Sequence, residues 1–214
     1  MPLSTILDIL STISGFFPVV VAFYNYKNLD TVLKIAALFF LVSSLFDPLM
    51  WLLANNGTEN NMPLIHINII VTVIFFSVIY YKLFINPIQK KLTVILSVIT
   101  MVIMFIYNWN FLEYPSISST ASAILLIVLS LFYFYQLLNP LKYIDIEKQG
   151  LFWINAGVLF YSSVNIFLFM IFTQIPVDDR PNYYIINSIT NIIANVLFSV
   201  GLFCKPQRTT LSRY

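Results

Sequence analysis

Long apolar stretches alternate with short polar breaks along the whole chain. A membrane-crossing helix needs about 20 mostly apolar residues, because the hydrocarbon layer is about 30 Å thick. Seven stretches meet that length, near residues 4–24, 32–54, 63–84, 91–108, 117–138, 151–173 and 183–204. The breaks between them carry turn chemistry. Asn55, Asn56, Gly57 and Thr58 lead to Pro63, and Asn86-Pro87 closes the third stretch. Asn139-Pro140 closes the fifth, and Pro176 through Pro181 separates the last two. Proline cannot donate to a helix ladder and biases the residue before it away from helix. The pattern therefore predicts an all-α, polytopic membrane protein with seven transmembrane helices. One domain over residues 1–204 leaves a short tail at 205–214.

Rings with a polar edge gather near the predicted ends of the spans, at the level where lipid headgroups attract them. Tyr24, Tyr26, Tyr80, Tyr81, Tyr133, Tyr135, Tyr143 and Trp153 predict one interfacial belt. Trp51, Tyr107, Trp109, Tyr114, Tyr183 and Tyr184 predict the other.

Composition agrees with lipid as the solvent. Of 214 residues, 59% are hydrophobic and 9% are charged, against about 25% charged in a soluble domain. Met1–Leu10 has no basic run and holds Asp8, so the first span is expected to be retained. The single cysteine, Cys204, excludes an internal disulfide and a multi-thiolate metal site.

Charge then orients the bundle. Lys27 and Lys34 flank the first break, Lys82, Lys90 and Lys91 the third, and Lys142 and Lys148 the fifth; Lys205, Arg208 and Arg213 lie in the tail. Arg180 is the one cation in an even-numbered break. Short loops rich in Lys and Arg stay cytoplasmic. The N-terminus is thus expected outside and the C-terminus inside, in a plasma (inner) membrane. The net charge of +2 is explained by topology and points to no nucleic-acid partner. The expected partners are the lipid bilayer and a membrane or cytoplasmic signalling protein.

Polar residues inside the spans are the candidates for function, because each needs a partner or a cavity. Asp47 lies seven residues before Ala54, roughly 10 Å from the membrane surface at 1.5 Å per residue. Pro48 follows it and frees a carbonyl near Ser43 and Ser44. His66 and Asn68 open the third span, so an Asp47–His66 pair is expected between neighbouring helices. In the seventh span Asn187, Asn191, Asn195 and Ser199 recur every four residues, along one slowly drifting face. Asn165, Ser162 and Ser163 of the sixth span are their expected partners. The candidate ligand-binding set is therefore Asp47, His66, Asn68, Asn165, Asn187, Asn191 and Asn195. The same residues also read as hydrogen-bonded glue between helices.

Several classes fall away. One histidine cannot build a His-rich di-iron or bis-His haem site. No cofactor is expected. The seventh span has no lysine for a retinal Schiff base, and no Asn-Pro-x-x-Tyr run. The fifth span lacks the proline of PQ-loop sugar transporters. With no nucleophile and no metal, the balance is against an enzyme.

One resemblance remains. The run LFWINAGVLFY from Leu151 to Tyr161, with Asn187 and Asn191, resembles small uncharacterised bacterial seven-helix proteins found beside, or fused to, sensor histidine kinases. That resemblance implies a sensory or signal-coupling role and brings no catalytic residues. The leading expectation is a non-enzymatic sensor with a polar cavity in the outer half of the bundle. A small-solute transporter or channel is the alternative, and a lipid-modifying enzyme the second.

Overall fold

The computed structural model describes residues 2–55, 60–107, 110–138, 146–176 and 178–204. Among the described residues the regular elements are helices. They are α1 (Leu3–Ser14), α2 (Phe16–Asn25), α3 (Thr31–Asn55), α4 (Met62–Leu83), α5 (Pro87–Tyr107), α6 (Ser116–Leu138), α7 (Gly150–Ile171) and α8 (Arg180–Phe203). Together they make seven segments long and apolar enough to cross a membrane, α1 and α2 forming the first. The protein is a multi-pass integral membrane protein. Seven crossings put the N-terminal end of α1 and the C-terminal end of α8 on opposite faces, called here the N-face and the C-face.

Gly15 divides the first crossing. Its N–H reaches back to both Ser11 O and Thr12 O at 3.2 Å. Pro18, one turn on, has no N–H to give Ser14 O, so the ladder is interrupted there. The fourth crossing begins at Pro87 rather than near 91. Asn86 Oδ1 accepts from Ile88 N at 2.8 Å and caps the helix, so polar Gln89, Lys90 and Lys91 become its first turn. Asp30 caps α3 in the same way through Leu33 N at 2.8 Å. The Asn139-Pro140 break and the 205–214 tail lie outside the described residues.

The helices form a closed ring in chain order. Each packs on the next from α2 to α8, α1 and α2 both close against α8, and α4 also meets α6 across the ring. The ring is apolar outside, and inside it buried hydroxyls and amides are set among a large apolar core. Phe23 is 69% exposed and Phe105 82%, while Ser130 and Asn165 are fully buried. A helix whose bare face is apolar has lipid as its partner, whereas buried hydroxyls and amides must satisfy one another.

Two close approaches set the packing. A Cβ on Gly201 would lie 2.7 Å from Gly150 O and 2.8 Å from Ile154 Cγ1, so α7 and α8 touch backbone to backbone at the C-face. A Cβ on Gly157 would lie 2.6 Å from Phe198. Phe198 instead fills that notch and meets Phe40 of α3, ring centroids 4.6 Å apart. Small residues thus let backbones approach where no hydrophobic force drives helices together.

Two of the expected belt residues are core residues. Tyr80 and Tyr133 are buried within the bundle. Tyr80 donates to Asn155 Oδ1 at 2.6 Å and accepts from Ser130 Oγ at 2.7 Å, joining α4, α6 and α7. Asn155 Nδ2 in turn donates to Leu151 O at 2.8 Å. A phenol near a helix end suits a headgroup anchor, but its hydroxyl serves equally as an interhelical tie when the ring faces inward. Tyr24, Tyr26, Tyr81 and Tyr135 do stand exposed, as do Tyr107, Tyr183 and Tyr184. Tyr143 and Trp109, together with the side chain of Trp51, lie outside the described residues.

Candidate functional site

Four chain segments converge on the N-face. The start of α4 brings Asn60, Asn61 and Met62, and the connection from α5 to α6 brings Leu112, Glu113 and Tyr114. The end of α7 contributes Thr173, and the start of α8 contributes Arg180. Between them lies an open cleft of about 410 Å³.

Hydrogen bonds fix each wall. Asn60 Nδ2 donates to Leu112 O at 2.6 Å, while its Oδ1 accepts from Met62 N at 2.8 Å. The loop at 112 is thereby stitched to the entry of α4. Below it, the buried imidazole of His66 donates from Nε2 to Glu113 O at 3.0 Å. A carbonyl only accepts, so this bond places the hydrogen on Nε2. The ring also packs on Phe111, centroids 5.1 Å apart. Glu113 Oε1 accepts from Asn110 Nδ2 at 2.8 Å.

The opposite wall rests on aromatic rings. Tyr114 and Phe172 lie 4.2 Å apart between centroids, with Leu168 and Ile175 beneath as a small separate core. Arg180 lays its guanidinium 5.3 Å from the Phe172 centroid and donates from Nε to Ile175 O at 3.1 Å. Such a guanidinium is held in place, its fork presented for recognition. Ser116 Oγ bonds the Phe169 carbonyl and anchors α6 to α7 just below. Burial pushes the Tyr114 phenol up to about 12, and a hydrogen bond with Ser119 offsets this in part.

Among the described residues of the expected site, His66 is the one that supports this cleft. Asp47 is in α3, and its side chain lies outside the described residues. The expected Asp47–His66 pair therefore falls there too. His66 Nδ1 and Asn68 Oδ1 are both buried without a partner among the described residues. Asn68 and His66 are two apart on α4 and so point in different directions.

The asparagine row of α8 divides between two neighbours. Asn187 Oδ1 accepts from Tyr161 OH of α7 at 2.9 Å. Asn165 Nδ2 donates to Thr190 Oγ1 at 2.7 Å and to Tyr161 O at 2.9 Å, leaving Asn165 Oδ1 buried without a partner among the described residues. Asn191 Nδ2 instead donates to Ser11 Oγ at 2.8 Å, and Asn195 Nδ2 to Ser14 Oγ at 2.9 Å, both on α1. A four-residue repeat drifts about 40° per step on a 100° helix. One such step, from Asn187 to Asn191, is enough to turn the row from α7 toward α1.

The cleft combines one cation, one carboxylate, two amides and two hydroxyls, one of them the phenol of Tyr114. That set suits recognition of a small polar molecule. Among the described residues no three His, Cys, Asp or Glu side chains gather as metal ligands. No protein-family model, curated protein or solved structure matches the chain.

The sequence signal for the cleft was Arg180, the single cation out of register with the charge ladder. A lysine or arginine on that side has no topological reason to be there. Phe172 and Glu113 carry no comparable mark.

Proposed function

We propose that the protein is a membrane sensor or signal-coupling subunit, with its N-terminus outside, its C-terminus cytoplasmic, and the N-face cleft as its receiving site. The observation that carries this reading is the Glu113–Arg180 cleft itself, whose charged groups are each braced from behind. The Glu113 carboxylate is held by Asn110 and its main-chain carbonyl by His66, and Arg180 is held by Ile175 O and Phe172. Braced polar groups in an open cleft favour binding over packing.

The orientation is supported by Lys27, Lys34, Lys82, Lys90, Lys91 and Lys148, which all flank C-face helix ends. The partner in this reading is a sensor histidine kinase or a similar signalling protein, contacted at the C-face. Transport has less support. Asn191 and Asn195, the polar row a pathway would use, are hydrogen-bonded to α1.

Purification from native membranes in a mild detergent tests the reading. A signalling kinase is expected to co-purify, and a single cysteine placed at Thr173 is expected to react with an impermeant reagent added outside cells. A partner-free protein, or a Thr173 site labelled only in opened cells, would overturn it.

A further inference from the structure

We infer that the cleft takes a small zwitterion, its anionic group on Arg180 and its ammonium on Glu113; this rests on the reading of the cleft as the sensor's receiving site. The two side chains line the same cleft, yet among the described residues no ion pair joins them. Among the described residues, each charged group is committed elsewhere by one atom. Arg180 uses Nε on Ile175 O, which leaves its two terminal amino groups. Glu113 uses Oε1 on Asn110, which leaves Oε2.

Charge selects among ligands. A simple anion on Arg180 would meet the Glu113 carboxylate, and a simple cation on Glu113 would meet the guanidinium. Like charges at close range disfavour binding. A molecule with both signs satisfies both walls. The planar fork of arginine suits a carboxylate or phosphate. Asn61 and Thr173 add neutral hydrogen-bonding groups, while Met62 and Tyr114 offer apolar surface beside them. A volume of about 410 Å³ lies within the range of small-molecule sites, and an amino acid fits it.

Two sources supply this chemistry: a free α-amino acid from solution, or the phosphoethanolamine headgroup of a lipid, since the cleft sits at helix ends. The full chain is purified in a lipid-free maltoside detergent and titrated calorimetrically with the twenty amino acids. In parallel it is placed in nanodiscs of phosphatidylglycerol, with and without phosphatidylethanolamine, and bound lipid is counted by native mass spectrometry.

Saturable binding is expected in one arm, and that arm names the source. Arg180→Gln and Glu113→Gln are each expected to weaken it by about tenfold or more, the loss of one charged hydrogen bond. Arg180→Lys, which keeps the charge and loses the fork, is expected between them and the parent chain. Phe23→Ala, on the bare apolar face of α2 and remote from the cleft, is expected to leave affinity unchanged, and unfolding midpoints identify any variant that has lost its fold. No binding in either arm, or binding indifferent to both substitutions, would overturn the proposal. Kinase co-purification from the same variants is scored separately. Its persistence without zwitterion binding sinks the ligand class alone, and its absence with binding intact sinks the sensor reading alone.

Discussion

The His66 imidazole reaches the Glu113 carbonyl at 3.0 Å across 47 residues of sequence, from inside a transmembrane helix to the loop that forms one lip of the cleft. The loop's position therefore depends on a side chain buried in the bundle. His66→Ala leaves the carbonyl without its donor and opens a void beneath Phe111. A stability loss of about 1–3 kcal/mol is expected in denaturant unfolding. His66→Gln, whose amide nitrogen extends to a similar reach, is expected to recover part of it. Equal unfolding midpoints for His66→Ala and the parent chain would show that the bond does not hold the loop.

Tyr80 and Tyr133 give opposite expectations for the same substitution. The Tyr80 hydroxyl bridges Ser130 and Asn155, so Tyr80→Phe strands two buried polar groups. A loss of about 1–2 kcal/mol follows. The Tyr133 hydroxyl is buried with no partner among the described residues. Tyr133→Phe removes an unsatisfied group and is expected to be neutral or stabilising. Thermal unfolding of the two variants in one detergent decides the matter, and a reversed order refutes it.

The crossings were legible because hydropathy at helix length is a local property, and the breaks announced themselves through Asn, Pro and Gly. What each polar residue faces was not legible. Asn187 and Asn191 are one turn apart, yet they serve α7 and α1 respectively, because the helix rotates the row between neighbours. Tyr80 was ambiguous for a similar reason: its position near a helix end suits both a headgroup and a buried amide. The cleft was visible only through Arg180, since Asn60, Glu113 and Phe172 acquire their roles from a convergence of four distant segments.

Gly201 admits no side chain without displacement. Gly201→Ala would set a methyl 2.7 Å from Gly150 O. Forcing the two backbones apart is expected to cost about 1–3 kcal/mol, as overpacking does elsewhere. The fraction of folded protein extracted after expression, together with its unfolding midpoint, reads this directly. An unchanged midpoint would mean that α7 and α8 can separate there freely.

Tyr114 makes the cleft sensitive to alkali. Its phenol has a folded-state value raised from 10.0 to about 12, because burial against Phe172 disfavours the phenolate. A raised value stabilises the fold fully below pH 10, and that contribution disappears as pH climbs from 10 toward 12. The stability difference between the parent chain and Tyr114→Phe is therefore expected to be flat up to pH 10. Above it, the difference should shift against the parent. Unfolding midpoints collected across pH 8–12 test this, and a difference constant over that range contradicts it.

The glycine contact and the cleft occupy opposite ends of one helix pair. At the C-face, Gly150 and Gly201 pin α7 to α8; at the N-face, the chain leaving α7 carries Thr173 and the start of α8 carries Arg180. Between these ends Tyr161–Asn187 and Asn165–Thr190 add two more ties, so α7 and α8 are joined along their span like the rails of a ladder. A push on the lips would move the pair together and be handed on to α1 and α2, which lean on α8.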